Sequence, residues 1–214
     1  VVKSNVIYNL DGVNVAITSD HYPLYCDFKK PTGLEEYPKA EGDLRIGNYF
    51  LTYCKGTDGV IDYDRTGRII AKMNADIVCL QGLDKETERS EGIDQLNVLA
   101  QKANMHDYFA KAIDYKGGEF GVGILTKEEP VSVDRYQMAG KSEMRAAMVV
   151  EYEKFVVAST NFDTDMAKRI EALQTLETKL SAYNKPAFLL GYFNGSEMCI
   201  RDRVRNVALT LSCL

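Results

Sequence analysis

YFAKAIDYKGGEFGVGILTKEEPVSVDRYQMAGKSEMRAAMVVEYEKFVVAST, residues 108–160, carries five short apolar-rich runs with turn residues between them. The runs are YFAKAI (108–113), EFGVGILT (119–126), VSVDRYQM (131–138), AAMVVEY (146–152) and FVVAST (155–160). Rich in β-branched and aromatic residues, they read as adjacent strands, which points to antiparallel pairing. The flanks have a different rhythm. LRIGNYFL (44–51) and ADIVCLQ (75–81) read as strands, and IDYDRTGRIIAKMNA (61–75) between them reads as a helix with Ile69, Ile70 and Met73 on one face. Leu96, Leu99 and Ala103 stand at helical spacing. A longer helix is predicted over 165–182 from the stripe Ile170, Leu173, Leu176 and Leu180, with Asp163 or Thr164 as its N-cap. PAFLLG (186–191) closes the series as a strand.

Alternating strands and helices, interrupted by a block of strands, imply two sheets packed face to face with helices outside. The predicted fold class is α/β: two mainly antiparallel sheets flanked by helices, a four-layer α/β/β/α sandwich truncated at its C-terminus. The chain has 214 residues, 45% of them hydrophobic, enough for one good-sized core or one domain and part of another. No apolar run approaches the ~20 residues that span a bilayer. A net charge of -5 argues against sequence-independent binding along a nucleic-acid backbone, and no nucleic-acid surface is evident. It leaves room for a phosphate substrate, whose local field a divalent cation reverses. The five cysteines show no metal-binding spacing, and Cys79 reads as a small core residue. Residues 1–19 lack the charged-then-apolar layout of a signal peptide.

Polar groups collect where these strands end: Asn48-Tyr49-Phe50, Gln81-Gly82-Leu83-Asp84, Ser159-Thr160-Asn161-Phe162-Asp163 and Gly191-Tyr192-Phe193-Asn194. A further cluster is Ser19-Asp20-His21. With these motifs, in this order, the stretch from about Leu44 to Asn194 resembles the endonuclease/exonuclease/phosphatase superfamily, the deoxyribonuclease-I-like metal-dependent phosphoesterases. LRIGNYF stands where the family has a T-Y-N ending, LQG where it has LQE, STNFD where it has N-T-H-x-D, and GYFN where it has G-D-F-N. The resemblance implies hydrolysis of phosphate esters with Mg²⁺ or Mn²⁺, on substrates that range from nucleic acids to inositol phosphates and sphingolipids. Such a reaction needs a cation and hydrogen-bond donors on the developing charge, and an aligned, deprotonated water.

Five positions depart from the family pattern. Phe50 stands for an asparagine, Gly82 for the metal-binding glutamate, and Val122 for a common asparagine. Asn161 replaces the histidine and Tyr192 the water-handling aspartate. Glycine has no side chain with which to ligate a cation, an amide neither gives nor takes a proton near neutral pH, and a phenol of pKa ~10 is a poor base. Asn194, Asp163 and Arg145 remain. Asn194 is read as a motif remnant or a substrate contact, Arg145 as a substrate-binding or salt-bridging residue, and Asp163 as a helix cap. Phe50 and Tyr192 are read as an aromatic plug in the cleft. Asp84 and the following KETERSEG run are read as a solvated loop. The expectation is a catalytically degenerate copy that binds no metal and acts as a structural or ligand-binding domain.

The ends read differently. In the family, S-D-H-x-P followed by a strand closes the domain, yet Ser19-Asp20-His21 and LYCDF come first here. Residues 1–28 are therefore expected to be the closing strands of a preceding domain of the same family in cis, or a permuted strand that docks on the main domain. Residues 29–43, with Pro31, Gly33, Pro38 and Gly42, form a linker, and 44–195 the main domain. In the permuted case Asp20 and His21 are catalytic candidates for an active phosphoesterase. From about Ser196 the pattern stops. Met198-Cys199-Ile200-Arg201-Asp202-Arg203 reads as the translation of a transposon end used in sequencing libraries, so 196–214 are expected to be a library artefact or a disordered tail.

Overall fold

The computed structural model describes residues 39–194 in full, together with strand backbone at 3–6, 9–10, 13–14, 24–27 and 207–211. The leading strands are β1 (Lys3–Val6), β2 (Asn9–Leu10), β3 (Val13–Asn14) and β4 (Leu24–Asp27). There follow β5 (Arg45–Phe50), α1 (Tyr63–Lys72), β6 (Ile77–Lys85), α2 (Gln95–Ala103), β7 (His106–Tyr115) and β8 (Gly118–Thr126). The second half holds β9 (Ser132–Met138), β10 (Arg145–Glu151), β11 (Val156–Asn161), α3 (Met166–Ser181), β12 (Ala187–Tyr192) and β13 (Val207–Leu211). The first sheet has the order β1-β4-β5-β6-β8-β7 and the second β13-β12-β11-β10-β9. Within the first sheet only β5 and β6 run parallel, in the second β11 with its neighbour β12 and β12 with β13.

Three apolar layers follow. Between the sheets, Ile46, Cys79, Val122 and Ile124 meet Met148, Val150, Val157 and Leu190. Outside the first sheet, Ile69, Ile70, Leu96 and Leu99 bring α1 and α2 onto Val78 and Leu80. Outside the second, Leu173, Leu176 and Leu180 of α3 lie on Ala158 and Leu189. Each such side chain contributes about 1.5–3 kcal/mol by leaving water. This is the four-layer α/β/β/α sandwich. Cys79 and Cys54 are buried, and burial pushes the Cys79 thiol up to about 12.

Aspartates begin the three α-helices of the described residues: Asp62 accepts from the Arg65 amide at 2.8 Å, Asp94 from Asn97 at 3.1 Å, and Asp165 from Ala167 and Lys168 at 3.0 and 3.1 Å. The cap of α3 is thus Asp165, neither Asp163 nor Thr164. Capping preference does not discriminate between nearby aspartates, and the Asp163 carboxylate has other partners. At one margin of the sandwich, Arg135 and Gln137 of β9 donate across the sheets to the carbonyls of Phe109 and Ala112 on β7, at 2.6 and 3.2 Å.

β4 lies antiparallel beside β5, with Leu24 opposite Asn48 and Asp27 opposite Arg45. β13 pairs with β12 from Val207 opposite Ala187 to Leu211 opposite Gly191.

Candidate functional site

The parallel pairs β5/β6 and β11/β12 send their C-terminal ends to the same edge of the sandwich, with Phe50 opposite Gln81 and Asn161 opposite Tyr192. Two side chains join the sheets there. Gln81 donates to Asn48 Oδ1 at 2.8 Å and to Ser159 Oγ at 3.2 Å, while Asn48 Nδ2 donates to the Gly191 carbonyl at 3.3 Å. All three side chains are fully buried. They fix the spacing of the sheets by hydrogen bonds, which specify geometry more narrowly than apolar contact.

The five departing positions surround this network. Gly82 sits at a β-bulge between Gln81 and Leu83 with φ +74°, a left-handed backbone that glycine adopts without strain. A Cβ there would stand 3.3 Å from the Thr52 amide and 3.4 Å from the Phe50 ring. Phe50 and Tyr192 pack together with ring centres 4.7 Å apart, so the ring that lies against the bulge is itself backed by a second. Val122 is buried in the inter-sheet core, beside Asn161 and Arg145 in a cavity of about 10 Å³. That is room for one water at most. Asn161 is 8% exposed, and its Oδ1 has no hydrogen-bond partner among the described residues.

The retained residues are engaged internally. Asn194, at φ +49°, donates from Nδ2 to the Phe162 carbonyl at 2.7 Å and so ties the end of β12 to that of β11. Arg145 pairs with Asp163 at 3.1 Å and Glu143 at 2.9 Å. Asp163 Oδ1 accepts from the Asp165 amide at 2.8 Å, and Oδ2 accepts from Lys141 N–H at 3.2 Å. The Asp165 N–H, then those of Lys141 and Arg145, hold the Asp163 carboxyl below its ordinary value. A depressed folded-state pKa contributes stability that is complete above the unfolded value, near ~4, and is lost as pH falls through the folded value. Asp163→Asn is therefore expected to lower the melting temperature at pH 7, and the gap to wild type should close as melts are repeated toward pH 3.

Asp20 and His21 lie outside the described residues. His106 is exposed at the start of β7, opposite Thr126, which itself faces Ile77 at the start of β6. It is at the far end from Gln81. Among the described residues, no group of three or more His, Cys, Asp or Glu is placed to hold a metal ion. Glycine at 82 and a phenol at 192 do not fit a divalent cation, which takes carboxylate and carbonyl oxygens.

One feature was invisible to the sequence reading and one contradicts it. Asp84 is no part of a solvated loop: it is fully buried, takes Arg89 Nε and Nη2 at 2.7 and 2.8 Å, and accepts from Thr87 Oγ1 at 3.0 Å. The Arg89 guanidinium in turn lies 3.6 Å from the centre of the Tyr53 ring and 4.6 Å from that of Tyr115. An aspartate five residues before an arginine carries no sign of this, because the three rings around the guanidinium, Phe120, Tyr115 and Tyr53, come from β8, β7 and the segment after β5. The unseen feature is the backbone of Thr52, Tyr53 and Cys54, left-handed at three non-glycine residues in a row.

The sequence matches no protein-family model and no curated protein. Solved structures share the fold. An endonuclease/exonuclease/phosphatase from Beutenbergia cavernae superposes with a TM-score of 0.64 at 20% identity, over 71% of this chain and 47% of that one. An endonuclease/exonuclease/phosphatase family protein from Leptotrichia buccalis gives 0.52 at 16% identity, over 72% and 68%. A D. rerio TDP2 humanized by 14 mutations gives 0.52 at 16%, over 74% and 65%. The chain thus spans about half the length of the Beutenbergia protein.

Proposed function

From a chain that carries the fold of the endonuclease/exonuclease/phosphatase superfamily, we propose a domain that keeps the phosphoesterase scaffold and performs no phosphoester hydrolysis. The observation that carries this reading is the Phe50 ring, 3.4 Å from where a Cβ of residue 82 would stand and packed on Tyr192 with 4.7 Å between ring centres. It puts apolar surface where the family's chemistry needs a carboxylate-bound cation and an activated water. Asn161 supplies neither proton nor base, and the Nδ2 donor of Asn194 is spent on the Phe162 carbonyl. Such a domain serves as a structural partner for a catalytic neighbour in cis, or holds a phosphate-bearing ligand without turning it over.

The test is an assay of the full chain on bis(p-nitrophenyl) phosphate with saturating Mn²⁺ and, separately, Mg²⁺. No release of nitrophenol above buffer is expected. A thermal-shift panel of phosphosugars and nucleotides then separates the ligand-binding role, which predicts a metal-independent shift, from the purely structural one.

One observation favours a second reading, an active metal-dependent phosphoesterase that draws on Asp20 and His21. Leu24, three residues after His21, pairs with Asn48 at the same edge as Gln81 and Tyr192. Metal-dependent nitrophenol release that disappears in His21→Ala would establish this reading and overturn the first.

A further inference from the structure

Thr52, Tyr53 and Cys54 follow β5 with φ of 47, 47 and 62°. None is glycine, Thr52 is β-branched, and in this region an L-residue's Cβ crowds its own carbonyl. Single left-handed residues are ordinary in turns; three in succession persist only where the surroundings over-determine them. The surroundings do so from three sides. The Arg89 guanidinium lies over the Tyr53 ring, 3.6 Å from its centre, while both oxygens of buried Asp84 hold it in place. Gln95 donates to the Tyr53 carbonyl at 2.8 Å and accepts from the Asp84 amide at 2.9 Å. The absence of a side chain at Gly82 lets the Thr52 amide approach.

We propose that Arg89 is the latch of a two-state element. Seated between Asp84 and Tyr53, it keeps residues 52–54 in the left-handed turn and Phe50 against Gly82. Withdrawn, it lets the turn relax to ordinary backbone and carries Phe50 off the bulge. The cover over Gly82 is then controlled from the segment 86–93, which bears Arg89 and exposes Glu86, Glu88, Glu91 and Gly92 to solvent, where a binding partner can reach them. The device is independent of whether the cleft is catalytic.

Amide hydrogen exchange on the full chain tests it. The amides of Cys54, Lys55 and Gly56 donate to the carbonyls of Leu51, Thr52 and Val60 at 3.0, 3.0 and 2.9 Å, so they report on the turn. Arg89→Ala is expected to speed their exchange by about tenfold or more while β10 and β11 stay protected. Thr52→Gly added to Arg89→Ala is expected to slow them again, because glycine removes the strain that drives opening. Thr52→Gly alone, in which the latch is intact, should leave them slower than wild type. Equal acceleration of the turn amides and of those in β10 and β11, faster exchange in Thr52→Gly alone, or no recovery in the double variant overturns the proposal.

Discussion

Gly191→Ala is expected to cost about 3 kcal/mol or more, the upper end of what overpacking does. Gly191 lies opposite Thr160 in the parallel β11/β12 pair. A Cβ at this position would stand 2.1 Å from the Thr160 carbonyl oxygen and 3.0 Å from its carbon. Both are backbone atoms, so no rotamer change relieves the contact. The strands must separate instead, and separation pulls the Gly191 carbonyl from Asn48 and Ser159 from Gln81. Gly117→Ala is the control: its φ is +83° but nothing lies within 4 Å, so about 1 kcal/mol is expected from backbone strain alone. Urea midpoints at matched m-values measure both. A similar cost at the two sites would refute the close approach. The glycine of G-Y-F-N is then required by sheet spacing, whatever chemistry the motif performs elsewhere.

Asp84→Ala should be comparably damaging, at about 3 kcal/mol, the lower end of the range for removing one partner of a buried ion pair, because the Arg89 side chain left behind is 26% exposed. Asp84 is fully buried, and its loss leaves the Arg89 guanidinium facing Tyr53 and Tyr115 without a counter-charge. The Thr87 hydroxyl loses its nearer acceptor as well and keeps only Ser90 Oγ at 3.3 Å. A cycle of Asp84→Ala, Arg89→Ala and the double variant isolates the pair. A large coupling energy is expected, because deleting both partners removes the uncompensated charge along with the attraction. A loss below ~1 kcal/mol in Asp84→Ala, the value of an exposed pair, would contradict the burial of this one.

The elements that sequence patterning locates best are those whose stability comes from one apolar face. Leu173, Leu176 and Leu180 sit on α3 where their spacing places them, and the strands of 108–160 lie within a few residues of their expected limits. Antiparallel pairing of β7 with β8 and of β9 with β10 follows from short connections that permit nothing else. The site was legible in part, through motif order: Phe50, Gly82, Asn161 and Tyr192 do converge at one edge. What escaped the pattern depends on contacts remote in sequence. The Asp84–Arg89 pair is closed by Tyr53, Tyr115 and Phe120, and no local preference assigns it. The left-handed run at 52–54 contains no glycine to announce it. Asp163 and Asp165 are equivalent to a capping rule, and the Asp165 and Lys141 amides together with Arg145 of β10 take Asp163 out of contention.

The side chains that cross from β9 to β7 have one more consequence. A strand at the margin of a sheet is a template on which another polypeptide can lay itself down and begin a fibre. On β7 the Phe109 and Ala112 carbonyls are already taken by Arg135 and Gln137. An incoming copy would have to evict a guanidinium and an amide to bond these two carbonyls, so at this stretch of the margin the molecule resists polymerisation by occupancy rather than by repulsion.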